Sequence, residues 1–272
     1  MNRIPLTDAD FKFISKLIYQ RAGIVLSDNK REMVYNRLAR RVQALDFDDF
    51  AEYLRFIEVN PNHDEWQNFT NSLTTNLTSF FRESHHFKVL KEHAEQSRGA
   101  YKVWSAAAST GEEPYSIAFS LTEVYQNKYD AFQIFASDID TNVLETAQNA
   151  IYKLEQLRDV SPEILQNFFL RGTGARAGMV KVKPEIANKV KFSQVNLLDN
   201  DWAVQGPFDA IFCRNVMIYF DKDTQERILK KFVPLLKPNG IIFAGHSENF
   251  TQISKDLYSK GQTVYGLLRD KK

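Results

Sequence analysis

Apolar residues recur three and four positions apart from Asp8 to about Phe87, and the pattern then changes. Phe11, Ile14, Leu17 and Ile18 share one face of a helix that Thr7 or Asp8 can cap and Gly23 can end. Ser27 or Asp28 opens a second helix running to about Leu45, and residues 48–57 and 64–73 predict a third and a fourth. After about Ala100, short β runs alternate with helical patterns, which predicts a mostly parallel sheet. The candidate strands are residues 102–105, 133–137, 190–194, 210–213, 240–244 and 264–268. Between Phe168 and Val190, Gly172, Gly174 and Gly178 precede the alternating run from Met179 to Val182. That predicts a small β-hairpin inserted into the sheet domain. Its edge suits capture of an extended peptide, the alternative being a surface excursion without a role. The chain thus divides into a helical domain, 1–85, and an α/β domain, 86–272, with the insert at about 168–190.

Composition narrows the class. A chain of 272 residues with 43% hydrophobic and 25% charged content can form a sizeable core in two domains. A net charge of +1 argues against bulk attraction to nucleic acid. Cys213 is the only cysteine, which leaves no internal disulfide and no thiolate-based metal site. No apolar run approaches the roughly 20 residues of a membrane span, and MNRIPLTDADF lacks the apolar centre of a signal peptide. The expectation is a cytoplasmic enzyme or binding protein.

The chemistry starts at VWSAAASTGEEPYS, residues 103–116. An apolar run leads into small residues, then Gly111, Glu112, Glu113 and Pro114, which reads as strand, tight loop and helix start. Small residues there let a ligand lie against the backbone at the first turn of a nucleotide- or nucleoside-binding sheet. The next strand ends in Asp138, a carboxylate placed to accept both ribose hydroxyls of a nucleoside. A dinucleotide site usually carries three glycines that admit a pyrophosphate to the helix N-terminus. Here one glycine is followed by two acids, which repel a pyrophosphate but suit the sulfonium and ammonium of S-adenosylmethionine. Acids at a helix N-terminus also have a purely local explanation, and for Glu112 the two readings stand level.

Other candidates lie at the carboxyl ends of later strands, where open α/β sheets bind ligands. Asn196 and Leu197 follow one strand and can read an adenine edge; Arg214 and Asn215 follow another. Tyr219 is placed beside the reacting carbon, or is a core aromatic. At the domain junction, Asn76, Thr78, Ser79, Phe80, Phe81 and Arg82 interleave polar and aromatic residues. Arg82 can anchor a carboxylate through two hydrogen bonds, or form an interdomain ion pair. His85, His86, His246 and the nearby acids lack metal-ligand spacing, so no metal is expected. On the second helix Lys30, Arg37, Arg40 and Arg41 share a broad face. That face is a docking surface for an acidic partner or simply solvated, and Met33 and Val34 within it can add apolar contact.

Taken together, TTNLTSFFRE, VWSAAASTGEEPYSIA, FASDID, VNLL, FDAIFCRNVMIYFDK and PLLKPNGIIFAGHSENF resemble the chemotaxis receptor methyltransferases, the CheR family. The resemblance spans nearly the whole chain and is strongest from Leu73 onward. It implies an N-terminal helical domain joined to a Rossmann-like, S-adenosylmethionine-dependent α/β domain with an inserted three-stranded antiparallel β subdomain. It implies methylation of glutamate side chains on the cytoplasmic helical bundle of chemoreceptors, with S-adenosylhomocysteine as the other product. Position by position, it implies that Asn76, Thr78, Arg82, Glu113, Asp138, Asn196, Leu197, Arg214 and Asn215 line the cofactor site. Arg82 and Tyr219 would lie near the methyl in transfer. The basic helix matches the face that family members lay against the receptor, and the insert resembles those that also bind a receptor's C-terminal peptide. Competing readings are a methyltransferase acting on nucleic acid or a small molecule, and a cofactor-responsive binding module without transfer.

Overall fold

A computed structural model describes residues 4–126 and 131–271. Four helices form the N-terminal unit: α1 (Asp8–Ala22), α2 (Arg31–Ala44), α3 (Phe50–Val59) and α4 (Glu65–Leu73). Thr7 caps α1 reciprocally with Asp10: each backbone N–H donates to the other's side chain. Gly23 ends the helix in the left-handed conformation, φ +69°. Ile14, Ile18, Leu38, Val42, Tyr53, Ile57 and Phe69 are fully buried between these helices. A single turn of 3-10 helix (Asp28–Lys30) precedes α2, which therefore starts three residues later than expected.

One reading of α2 needs correction. Val34 is fully buried in this core and unavailable to a partner. The i+4 spacing to Leu38 accounts for Val34. Residues 74–84, inside the stretch read as helical throughout, form an extended strap ending in a turn. The strap leads into α5 (His85–Glu95).

The second unit is built from β1 (Tyr101–Ser105), α6 (Glu112–Tyr125), β2 (Phe132–Asp138), α7 (Thr141–Asn149), β3 (Ile151–Lys153), α8 (Pro162–Phe168), β4 (Phe169–Arg171), β5 (Met179–Val182), α9 (Pro184–Ala187), β6 (Val190–Gln194), β7 (Phe208–Cys213), α10 (Lys222–Phe232), β8 (Leu236–Ala244), β9 (Leu257–Gly261) and β10 (Val264–Leu267). The main sheet runs β6-β2-β1-β7-β8-β10-β9. Its first five strands are parallel, and β10 pairs antiparallel with both β8 and β9. This is the Rossmann-like class expected from the sequence. The apolar run of β7 is buried at all six positions, as a central parallel strand requires. Chain order reverses beside β1, between β2 on one side and β7 on the other, so the crevice at the ends of β1 and β7 is the natural ligand position.

A separate sheet, β3-β5-β4, is the antiparallel β subdomain. The predicted hairpin supplies β4 and β5; the third strand comes from Ile151–Lys153, before the segment that the glycines mark. Strand β9 was also absent from the predicted set. LYSKG is a polar sheet edge with only Leu257 buried, and charge on an edge strand erases the apolar signal.

Candidate functional site

The cleft at the switch point is lined from both units. The helical unit contributes Ala22, Ile24, Val25, Leu26, Lys30, Met33 and Leu73; the strap contributes Thr74 to Ser79 and Arg82. The sheet unit contributes Ala106, Ala107, Ser109, Glu113, Asp138, Ile139, Val195 to Leu197, Arg214 to Val216, Tyr219 and Phe220. All ten residues expected at the cofactor or the methyl group therefore line one cavity: Asn76, Thr78, Arg82, Glu113, Asp138, Asn196, Leu197, Arg214, Asn215 and Tyr219.

Asp138, at the end of β2, is nearly buried and accepts hydrogen bonds from the backbone N–H groups of Ser109 (2.8 Å) and Asp140 (3.0 Å). Burial nevertheless pushes its pKa up to about 6. Donors from a ribose diol would favour the charged form. Two residues on, Asp140 caps α7 and is 2% exposed. Its Oδ2 accepts from the Thr74 hydroxyl and the Asn76 amide, each at 2.7 Å. Asn76 also donates to Thr74 Oγ1 at 3.1 Å, so its amide nitrogen is committed to the protein. What it offers a ligand is its Oδ1 acceptor, which suits an ammonium or amino donor.

Glu113 is buried in the first turn of α6, where its carboxylate accepts from Ser105 Oγ (2.7 Å) and pairs with Arg214 (2.9 Å). Burial raises its pKa against the pull of Arg214. Arg214 also donates to the carbonyl of Arg82 and lies 3.4 Å from Glu83 Oε2. Glu112 turns away: it is 3% exposed, accepts from Thr110 Oγ1 at 2.6 Å and does not line the cleft. The expectation of two acids facing the ligand is thus corrected to one. Gly111 serves packing rather than ligand approach. A side chain there would meet the Tyr152 hydroxyl at 2.7 Å and Ala147 Cβ at 2.9 Å, and its φ is +98°. The helix start is therefore not an open phosphate cradle.

Asn196 is fastened by its own side chain, whose amide donates to Arg21 O (2.7 Å) and whose Oδ1 accepts from Leu198 N–H (3.0 Å). Asn215 adopts φ +58° and is held by Glu248, which is 6% exposed. Glu248 accepts from the N–H groups of Asn215 (3.0 Å), Met217 (2.8 Å) and Gly245 (2.5 Å). Tyr219 is half-buried on the 3-10 turn Met217–Tyr219. That turn is pinned by Gln225, which donates to Met217 O and Phe220 O, and by Val25 N–H, which donates to Tyr219 O at 2.9 Å.

Arg82 donates through Nη1 to Leu77 O at 2.9 Å, and among the described residues it forms no ion pair. The interdomain ion pair considered from the sequence is therefore not its role here. The units are instead joined by neutral and charge-assisted hydrogen bonds: Asp140 to the strap, Asn71 to Thr141 (3.0 Å), Gln67 to Ile139 O (2.9 Å) and Tyr19 to Asp221 (2.7 Å).

The basic face of α2 is not uniform. Lys30 and Arg40 are exposed. Arg37 donates to the carbonyls of Thr74 and Ser72, and Arg41 grips Glu65 through both carboxylate oxygens. Glu65, 2% exposed, also accepts from the Tyr53 hydroxyl at 2.9 Å. Burial acts to raise the Glu65 pKa, but hydrogen bonds from Arg41, Tyr53 and Asn68 hold it below the ordinary value. Arg37 and Arg41 thus have structural partners within the domain.

Sequence reasoning singled out none of Asp140, Glu83 and Glu248, although FASDID, TTNLTSFFRE and PLLKPNGIIFAGHSENF contain them. Glu83, at φ +56°, has its Oε1 3.2 Å from His246 N–H and 3.4 Å from the Asn215 amide. Glu83, His85 and His86 bring ligating atoms within 4.8 Å of one another. Positive charge already occupies that corner, from Arg214 and from the N-terminus of α5, and opposes a cation there. His86 is fully buried, and burial followed by Arg214 lowers its pKa to about 4.

Comparison with known proteins agrees with this geometry. Residues 76–265 match the CheR methyltransferase, SAM binding domain, and residues 9–74 match the CheR methyltransferase, all-alpha domain. The chain belongs to the CheR methyltransferases. It is 61% identical over 269 residues to the chemotaxis protein methyltransferase of Klebsiella aerogenes, covering 99% of this chain and 93% of that protein. It is 58% identical over 268 residues to the Escherichia coli chemotaxis protein methyltransferase, covering 98% and 94%. The CheR chain is therefore an S-adenosylmethionine-dependent chemotaxis methyltransferase. No helix among its described residues is long and apolar enough to cross a membrane.

Proposed function

We propose that the chain transfers the methyl group of S-adenosylmethionine to glutamate carboxylates of chemoreceptors, giving glutamyl methyl esters and S-adenosylhomocysteine. The observation that carries this reading is Arg82: a guanidinium lining the cofactor cleft, free of any ion pair among the described residues, with Tyr219 lining the same cleft. Such a site suits an anionic acceptor.

The cofactor, when bound, supplies an electrophilic methyl on a sulfonium. A glutamate at neutral pH, with an unperturbed pKa near 4.3, is already a nucleophile and needs no general base. The chain's task is therefore to position and desolvate. Asp138 holds the ribose, the Asn76 Oδ1 and the Glu113–Arg214 pair face the amino-acid end, and Asn196 with Leu197 faces the adenine. Arg82 orients the acceptor carboxylate, and Tyr219 closes the cleft beside it. Lys30 and Arg40 meet the acidic receptor bundle, and an open edge of the β3-β5-β4 sheet takes the receptor's C-terminal peptide by strand addition. The enzyme acts in the cytoplasm. The test is transfer of labelled methyl from the cofactor to receptor-bearing membranes; deleting the receptor's terminal peptide should weaken recruitment without altering the chemistry.

A further inference from the structure

Phe81 and Glu83, the residues on either side of Arg82, both adopt the left-handed backbone conformation, φ +53° and +56°. Residues with a Cβ avoid that region, and a phenylalanine there is an outlier. Such conformations persist where the surrounding contacts over-determine them, and they gather at functional sites. Here those contacts come from the sheet unit. The Phe81 N–H donates to Ser116 Oγ on α6 at 2.9 Å. On the other side, one nitrogen of Arg214, Nη2, donates to the Arg82 carbonyl and lies 3.4 Å from Glu83 Oε2. Glu83 Oε1 accepts from the His246 N–H at 3.2 Å and from the Asn215 amide at 3.4 Å. Burial acts to raise the Glu83 pKa, but Arg214, the His246 N–H and Asn215 hold it below the ordinary carboxylate value. Glu83 thus ties the far end of the strap to the ends of β7 and β8, as Asp140 ties the near end, and like Asp140 it does not line the cleft.

We propose that Glu83 is a positioning residue for methyl transfer and acts through Arg82. Its carboxylate holds the Arg82 backbone in the conformation from which the guanidinium reaches into the cleft. The proposal rests on the role given to Arg82 above and adds what aims it. Among the described residues, the Arg82 side chain bonds only to Leu77 O, which belongs to the same strap. That bond moves with the strap and cannot fix the guanidinium relative to the sheet. The aim must therefore come through the backbone, and Glu83 is the acid that anchors it to the strand ends. A displacement of about 1 Å at a group that orients a reactant can cost on the order of 100-fold in rate, so a residue outside the cleft can still set turnover.

The test measures methyl transfer to receptor-bearing membranes, with cofactor Kd alongside, for wild type, Glu83→Gln, Arg82→Ala and the double variant. Glu83→Gln keeps the shape of the side chain, and Arg214 retains Glu113 at 2.9 Å, so no buried guanidinium is left unpaired. It should lower kcat about tenfold and change cofactor Kd less than about threefold. Glu83→Gly accepts the left-handed conformation without strain and should lose at least as much kcat. In the Arg82→Ala background, Glu83→Gln should cost less than about twofold more, because the group it aims is gone. A purely structural role would multiply the two losses. A second readout needs no turnover. The Arg82 Nε–H resonance, assigned by its loss in Arg82→Ala, should show the nitrogen relaxation of a rigid group in wild type bound to S-adenosylhomocysteine and of a mobile one in Glu83→Gln. Unchanged kcat in both Glu83 variants, multiplied losses in the double variant, or an equally rigid Arg82 resonance in wild type and Glu83→Gln overturns the positioning role. If wild type methylates no receptor carboxylate, the reading under Proposed function fails, and the Arg82 resonance alone decides what Glu83 does.

Discussion

The Asp140 carboxylate and the Asn76 side-chain amide meet at 2.7 Å, fastening the interdomain strap to the N-terminus of α7. The same oxygen takes the Thr74 hydroxyl, and the other caps the helix. The strap residues that line the cleft are thus set by an acid that does not line it itself. Asp140→Asn should raise the cofactor Kd about tenfold with a smaller effect on kcat, because charge-assisted bonds become neutral ones. Asp140→Ala should in addition lose about 1 kcal/mol of stability with the helix cap. Binding titrations and thermal melts separate the two; an unchanged cofactor Kd in both variants would show that the strap holds itself.

With Asp138 at the ribose, as proposed, cofactor binding should depend on pH. Its pKa in the free protein is about 6, raised from 3.8 by burial. The raised value means that the folded protein holds a proton between pH 3.8 and 6 that the unfolded chain releases, so this group's contribution to stability falls as pH rises through that window. A ribose diol donating to the carboxylate favours the deprotonated form. Cofactor affinity should therefore weaken as pH drops below about 6, by up to tenfold per pH unit. In Asp138→Asn, affinity should be lower and the dependence in this range lost. Calorimetry from pH 5 to 8 checks it.

How much of this could be read from the sequence depended on whether a residue acts within its own segment. The cap at Thr7, the stop at Gly23 and the strand–loop–helix around Gly111 are local arrangements, and they stood out. The buried strands β1, β2 and β7 did too, because burial on both faces imposes continuous apolar runs. Asp140, Glu83 and Glu248 act on distant partners: Asn76 is 64 residues from Asp140, Asn215 is 33 from Glu248, and His246 is 163 from Glu83. The segments they sit in were legible, but not which distant groups these acids hold. Gly111 was legible as a glycine but not for its reason, since Tyr152 and Ala147 approach it only in the folded chain. The charges of α2 looked alike in sequence, and only Glu65 and the strap carbonyls distinguish Arg41 and Arg37 from Lys30 and Arg40.

That distinction can be measured. Arg41→Ala leaves Glu65 buried without its charged partner and should destabilise the protein by about 2–3 kcal/mol in denaturant unfolding. Lys30→Ala and Arg40→Ala should change stability by less than about 0.5 kcal/mol. Under the docking proposal they should weaken receptor binding, most strongly at low salt. Receptor binding insensitive to both exposed residues at every ionic strength would make the face plain solvated surface.

Arg82 and Tyr219 divide orientation from packing. Arg82→Ala should lower kcat by about 100-fold or more, well beyond its effect on cofactor Kd. Tyr219→Phe isolates the hydroxyl. A loss of kcat would give the hydroxyl a part in placing the acceptor, whereas full activity would reduce Tyr219 to closing the cleft. Steady-state kinetics with independently measured cofactor affinity distinguishes these outcomes, and unchanged turnover in Arg82→Ala would remove it from the proposed site.

The most direct measurement mixes the purified protein, methyl-labelled S-adenosylmethionine and membranes carrying chemoreceptors, and follows the label and its lability to base. The account predicts label on the receptor that mild alkali releases as methanol, the signature of a glutamyl methyl ester. Label that survives alkali, or no label on any of a panel of receptors while the cofactor demonstrably binds, would contradict it.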